Sequence, residues 1–241
     1  MDEAEGERRE HMCIALWNLS PRRPILDALR SSNIDSQTLV AFVSDNGPDS
    51  GRRGQPGWRS NWPNAMMMGD SGPLDGSKNM LSDGGIRVPF ILRWPGTIPA
   101  GQADPSKLDS NRSNSNQKGL LEVYREPVMS FDLYPTFVAA AGGSVPRGTQ
   151  LSGTNLLPFV DGSRASGSPH DVLFWKAEQG YAVRWGEWKL GKHEALYNLR
   201  TDIGEQVNLA RSRPEIVANL KAKYRAWCQT LPRSASGINN C

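Results

Sequence analysis

The run Thr38-Leu39-Val40-Ala41-Phe42-Val43-Ser44-Asp45-Asn46-Gly47 decides how this chain is read. Leu39 to Ser44 is largely β-favouring and lacks polar alternation, the pattern of a strand buried on both faces in a parallel sheet covered by helices. Ligands of such sheets bind outside the carboxyl ends of the strands, which is where Asp45 and Asn46 fall. A carboxylate beside an amide carbonyl offers hard oxygen donors of the kind Ca²⁺ or Mg²⁺ takes. Two donors do not complete a site. Alone, Asp-Asn-Gly is also turn chemistry, with Gly47 supplying positive φ and the two side chains bonding nearby backbone.

Working outward, a polar loop leads through Pro73-Leu74-Asp75-Gly76-Ser77-Lys78 and Asp83-Gly84-Gly85-Ile86-Arg87 to a second apolar run, Val88-Pro89-Phe90-Ile91-Leu92-Arg93-Trp94-Pro95-Gly96. In order and spacing these elements resemble the sulfatase family, whose core reads Ser-Asp-Asn-Gly, Gly-x-Lys, Glu-Gly-Gly-x-Arg and an apolar strand ending Trp-Pro-Gly. Asn61-Trp62-Pro63, followed by Pro73-Leu74, is similar to the Asn-Trp-Pro-Leu run of the arylsulfatase B branch. The resemblance implies an α/β, alkaline-phosphatase-like sandwich, in part. It also implies that Asp45 and Asn46 bind Ca²⁺, that Lys78 binds the substrate's sulfate group, and that the partner is a sulfate ester or sulfated glycan. The chain departs from the pattern at Asp75, where the branch usually has arginine, at Asp83, which replaces glutamate, and in the insertion Asn64 to Gly72.

Composition agrees with a soluble globular protein: 38% of the 241 residues are hydrophobic and 24 are glycine. A formal charge of +3 without a Lys/Arg cluster excludes a nucleic-acid footprint. No 18-residue apolar run exists, so no membrane span is expected. The acidic start Met1-Asp2-Glu3-Ala4-Glu5 has no apolar h-region and does not read as a secretory signal. Sulfatases are mostly exported or lysosomal, with signals well upstream of the matched segment, so localisation stays open. Three cysteines, Cys13, Cys228 and Cys241, lack metal spacing and allow at most one disulfide.

Taken in order, residues 10–32 carry helical periodicity in two pieces, Cys13, Ile14, Trp17 and then Ile25, Leu26, Leu29, with Pro21 and Pro24 breaking the helix between them. The Gly- and Pro-rich loop 47–72 contains Met66-Met67-Met68, which either tucks the loop onto the core or forms an apolar lid. Residues 101–119 read as a surface excursion, with Asn111-Arg112-Ser113 a glycosylation acceptor. A helix should start at Asp132, acting as cap, and end at Gly142-Gly143. After Pro169 the pattern switches to short strands at Val172–Trp175, Tyr181–Trp185, Trp188–Leu190 and Ala195–Leu199. Trp175, Trp185 and Trp188 are either core packing or a sugar-stacking platform. Leu196 to Leu199 with Asp202, Glu205, Asn208 and Leu209 resembles the sulfatase C-terminal signature. Ser212 to Glu215 has capping-box spacing before a final helix. The expected organisation is a partial α/β domain at 1–169 carrying half the metal site, then a small antiparallel sheet plus terminal helix at 170–241.

Sulfatases use a formylglycine made from the cysteine of Cys-x-Pro-Ser-Arg, and an Asp-Asp pair near their start completes the Ca²⁺ site. Neither motif occurs here, so no residue of this chain is assigned as catalytic. His11, His170 and His193 do not fall at the family's catalytic histidine positions. Two readings follow. In one, the chain is the C-terminal portion of an arylsulfatase, from a truncated gene or a split enzyme missing its N-terminal half, and is inactive alone. In the other it is a non-catalytic protein that binds sulfated glycans or serves a structural role. A nucleotide loop is a distant third, because Gly72 to Lys78 has three residues between glycines where a P-loop needs four.

Overall fold

The computed structural model describes residues 23–48, 71–99, 124–161, 163, 167–178 and 180–231. The first helical piece, Asn61-Trp62-Pro63, the three methionines, the loop at 101–119, Cys13 and Cys241 lie outside the described residues. Backbone packing divides the chain into two compact units, Met1–Phe42 with Phe90–His170 and Val43–Pro89 with Asp171–Cys241. Each unit is therefore discontinuous in sequence.

In the first unit, helix α1 (Arg23–Ser31) takes up Pro24 in its opening turn, where a missing N–H costs nothing. Strand β1 (Val40–Val43) pairs with β2 (Phe90–Arg93) in a two-stranded sheet. The strand is where the sequence places it, but its four residues are half-buried rather than buried on both faces. Each strand has one strand partner among the described residues. The end of β2 is fixed by a bidentate bond from Arg93 to Asp35 at 2.6 and 2.7 Å and by Trp94 Nε1–H donating to Ser36 O at 2.9 Å. The Arg93 hydrogen bond holds the Asp35 carboxyl below its usual range.

Helix α3 (Leu133–Ala140) ends as the glycines predict: Gly142 has φ +72°, and N–H groups of Gly142 and Gly143 return to Ala139 O and Val138 O. Its start differs from expectation. Asp132 caps backwards, accepting from Met129 N–H at 2.7 Å, from Thr154 N–H at 2.8 Å and from His170 Nε2–H at 2.9 Å. A carboxylate that is wholly buried needs that many donors, and it uses them to tie loop 153–154 and His170 to the helix. Thr136 Oγ1 extends the knot by donating to Asp132 O and accepting from Leu156 N–H. The one-turn helix α4 (Leu157–Val160) follows directly.

The second unit contains the short helical turn α2 (Asp83–Ile86), which the sequence reading did not foresee, and a four-stranded antiparallel meander. Its strands are β3 (Val172–Ala177), β4 (Gly180–Trp185), β5 (Trp188–Leu190) and β6 (Leu196–Asn198). One face covers the final helix α5 (Pro214–Thr230): Val183, Leu190 and Leu196 meet Leu220 and Tyr224, with Phe174 stacked on Trp227 and Tyr181 on Tyr224. Trp185 and Trp188 are register partners on this face, whereas strand alternation sends Trp175 to the other, so the three tryptophans form no common platform. The capping box at Ser212 does not form. Pro214, with its φ preset, opens α5 one residue later with Arg213 at the cap position, and Ser212 Oγ donates to Leu209 O instead. Cys228 on α5 is disulfide-bonded. Among the described residues no helix is long and apolar enough to cross a membrane.

Truncating Leu220, fully buried at the centre of this core, should cost about 2–5 kcal/mol in urea unfolding followed by tryptophan fluorescence. Val207→Ala, at a side chain 58% exposed, should stay within about 0.5 kcal/mol.

Candidate functional site

Asp45, Asn46 and Lys78 all belong to the second unit, on two loops that the backbone joins. Ser44 N–H donates to Pro89 O and its hydroxyl to Asn46 O at 2.9 Å, shaping the exit from β1. Gly47 N–H donates to Gly85 O, and Lys78 N–H donates to Pro48 O, both at 3.0 Å. Gly84 N–H donates to Asp75 O at 2.6 Å. The segments 44–48, 75–80 and 83–87 are thus one hydrogen-bonded assembly.

Glycine is required here by proximity. Gly47 does not adopt the positive φ expected from the tripeptide; a Cβ on it would lie 1.9 Å from Gly84 O. A Cβ on Gly84 would lie 2.4 Å from both Asp75 O and Gly76 O, and one on Gly85 2.2 Å from Met80 O. Only Gly76, at φ +87°, is needed for its backbone conformation as well. The spaced glycines of the motif are contact points between three backbones.

On this frame Asp45 and Lys78 are exposed and Asn46 is half-buried. The side chains of all three make no hydrogen bond or ion pair with described residues. For a hard cation the donor set is right in kind and short in number: a carboxylate and an amide carbonyl are oxygen donors, but Ca²⁺ takes six to eight. No group of three or more His, Cys, Asp or Glu able to hold a metal occurs among the described residues.

Beneath the frame lies a cluster that sequence reasoning did not identify. Lys189, on β5, is completely buried; its ammonium donates to Asp83 Oδ1 at 2.6 Å and Glu205 Oε1 at 2.9 Å. Glu205 Oε1 also accepts from Asp83 N–H at 2.6 Å. Among the described residues Asp83 Oδ2 has no hydrogen-bond partner, but Arg87 and Arg184 guanidinium nitrogens stand 3.9 and 4.0 Å from it. Strand alternation places Lys189 opposite Arg184 on the sheet face away from α5. Two cations side by side would repel there; both are directed at one carboxylate. Asp202 supplies Glu205 by accepting from Gln206 and Val207 N–H groups, bending the chain so that Glu205 sits at φ +53°. Asn208 then accepts from Leu196 N–H and closes the signature onto β6. Burial pushes the Glu205 carboxyl up, against the pull of Lys189. Burial also raises the Tyr197 phenol, helped by the charges of Glu205, Asp75 and Asp202.

The family profile described as Sulfatase matches residues 23–144, half of the chain. This chain belongs to the sulfatase family. Arylsulfatase H of Homo sapiens is 34% identical over 167 residues, covering 67% of this chain and 24% of that protein. Steryl-sulfatase of Homo sapiens is 32% identical over 170 residues, covering 70% of this chain and 24% of that protein. The crystal structure of Ps i-CgsB in complex with k-i-k-neocarrahexaose superposes with a TM-score of 0.61 at 25% identity, over 89% of this chain and 43% of that one. The fold is therefore the alkaline-phosphatase-like α/β fold of sulfatases, in part. The chain spans about a quarter of the length of these curated relatives.

Gly84→Ala should lower stability by about 1–3 kcal/mol, because its Cβ meets backbone that has no free rotamer to give. Gly191→Ala, with open space around it, is the control in the same urea titration. A second expectation concerns pH. Since the folded Glu205 pKa lies above its reference value of 4.5, folded protein keeps a proton that unfolded chain has released, and stability falls as pH rises through that interval. Melting temperatures of the protein and of Glu205→Gln, compared from pH 4 upward, should show this slope only when Glu205 is present.

Proposed function

We propose that this chain carries the substrate-side part of an arylsulfatase-type sulfuric ester hydrolase site, in which Lys78 binds the sulfate group and Asp45 and Asn46 supply part of a Ca²⁺ site. The observation that supports it most is the joining of the Asp-Asn-Gly and Gly-x-Lys loops through the Gly47–Gly85 and Lys78–Pro48 backbone bonds. An exposed ammonium on that frame is suited to offset charge on sulfate oxygens. When bound, Ca²⁺ would add positive charge at the same anion. Asp45 would offer its carboxylate and Asn46 its amide oxygen, with the remaining ligands from elsewhere.

No side chain of this sequence replaces the formylglycine nucleophile, since Cys-x-Pro-Ser-Arg does not occur in the 241 residues. Hydrolysis therefore requires a segment bearing that motif, and without one the chain binds its anion and does not turn it over. Binding of a sulfated glycan without catalysis is the second reading, favoured by the same missing nucleophile.

The test is hydrolysis of 4-nitrocatechol sulfate by the chain, alone and mixed with an N-terminal sulfatase portion bearing Cys-x-Pro-Ser-Arg. The expected result is no turnover alone and turnover in the mixture, reduced about 10²–10³-fold by Lys78→Ala. Binding of a sulfated glycan that Lys78→Ala weakens, with no turnover in the mixture, selects the second reading. Turnover by the chain alone overturns the assignment, as does activity in the mixture indifferent to Lys78.

A further inference from the structure

We propose that Lys189 is a positioning residue for the loop that holds the sulfate group, acting through Asp83 and Glu205. The proposal rests on the reading above, which gives that loop its ligand. Lys189 is on the sheet, and its hydrogen bonds go to Asp83 and Glu205 and to none of Asp45, Asn46 or Lys78; its route to them runs through the backbone.

The route is short. Lys189 holds the Asp83 carboxylate, and Glu205, held by the same ammonium, takes the Asp83 N–H. Side chain and main chain of one residue are thus pinned from two separate segments, which fixes both position and orientation of the turn α2. The next two residues, Gly84 and Gly85, are those in closest approach to the site loops. Gly85 O accepts from Gly47, the neighbour of Asn46, and a Cβ on Gly85 would lie 2.5 Å from Ser77 O, one residue before Lys78. Backbones this close transmit a displacement because neither can absorb it.

A neutral side chain at 189 could fill the space without fixing it. Packing is weakly directional, whereas an ammonium between two carboxylates is satisfied in one arrangement. Buried ion groups of this kind add little net stability over a well-packed apolar replacement, so what the cluster contributes is placement.

The experiment is amide hydrogen exchange on the full chain, together with binding of inorganic sulfate in the presence of Ca²⁺. It compares the protein with Lys189→Met and with Glu205→Gln, which keeps shape and an acceptor for Asp83 N–H. In Lys189→Met, exchange in segments 44–48 and 74–87 should accelerate about ten-fold or more beyond the common acceleration that the lost stability gives β3–β6 and α5. Glu205→Gln should shift the same segments by a smaller factor. Sulfate affinity should fall in the same order, though neither variant alters a group that contacts the anion.

Unchanged exchange in the loop segments overturns the proposal. So does acceleration by one common factor in loops, sheet and α5, which would make Lys189 a residue of general stability. If Lys189→Met does not fold, Glu205→Gln decides by the same criterion. Failure of the unaltered protein to bind sulfate, with its loop amides protected, refutes the functional reading instead and leaves the exchange pattern to judge Lys189.

Discussion

A lysine ammonium without access to water, shared between two carboxylates, is the constraint on which the second unit depends. Removing charges from water is expensive, and the attraction between them repays it only when the geometry is good and the remaining polar atoms are satisfied. Here Lys189 satisfies one oxygen of Asp83, and Glu205 satisfies the Asp83 amide. The remaining carboxylate oxygen faces two guanidinium groups at about 4 Å. Losing one member of such a group typically costs about 3–5 kcal/mol, because the others are left charged and unpaired. The antiparallel sheet thus has two buried commitments. One face is apolar and meets α5; the other carries the ions.

Much of this was legible in the sequence, and the reasons differ by element. β3 to β6 were bounded by glycine turns and aromatic runs, so their positions followed closely from local pattern. β1 was legible as a strand, but the depth of its burial was not, since burial is fixed by what pairs and packs against it. The capping pattern at Ser212 does not form because Pro214 presets the first helical residue. Gly47 was expected for its dihedral freedom and proved necessary for a close approach, a distinction that only the partner backbone reveals.

The buried cluster was hidden for a more general reason. Trp188-Lys189-Leu190 alternates as an edge strand with a solvated lysine would, and nothing local says that the polar-looking face is covered. Asp83 stood out as a departure from the family's glutamate and Glu205 as part of a signature, yet 122 residues separate them in the chain. Charges that meet across such a distance leave no periodicity to detect. A lysine in an otherwise apolar strand, with two acids elsewhere, was the available hint.

The glycine-built loop also separates two kinds of sequence change. Positions 47, 84 and 85 admit no side chain without moving backbone, whereas Asp75, Lys78 and Asn79 project from the same frame into solvent. Substitution is therefore channelled: backbone packing closes the frame to it and sets no such limit at the rim. A chain built this way can change the charge it presents at the rim, as the exposed acid at 75 shows, without disturbing the glycine contacts beneath.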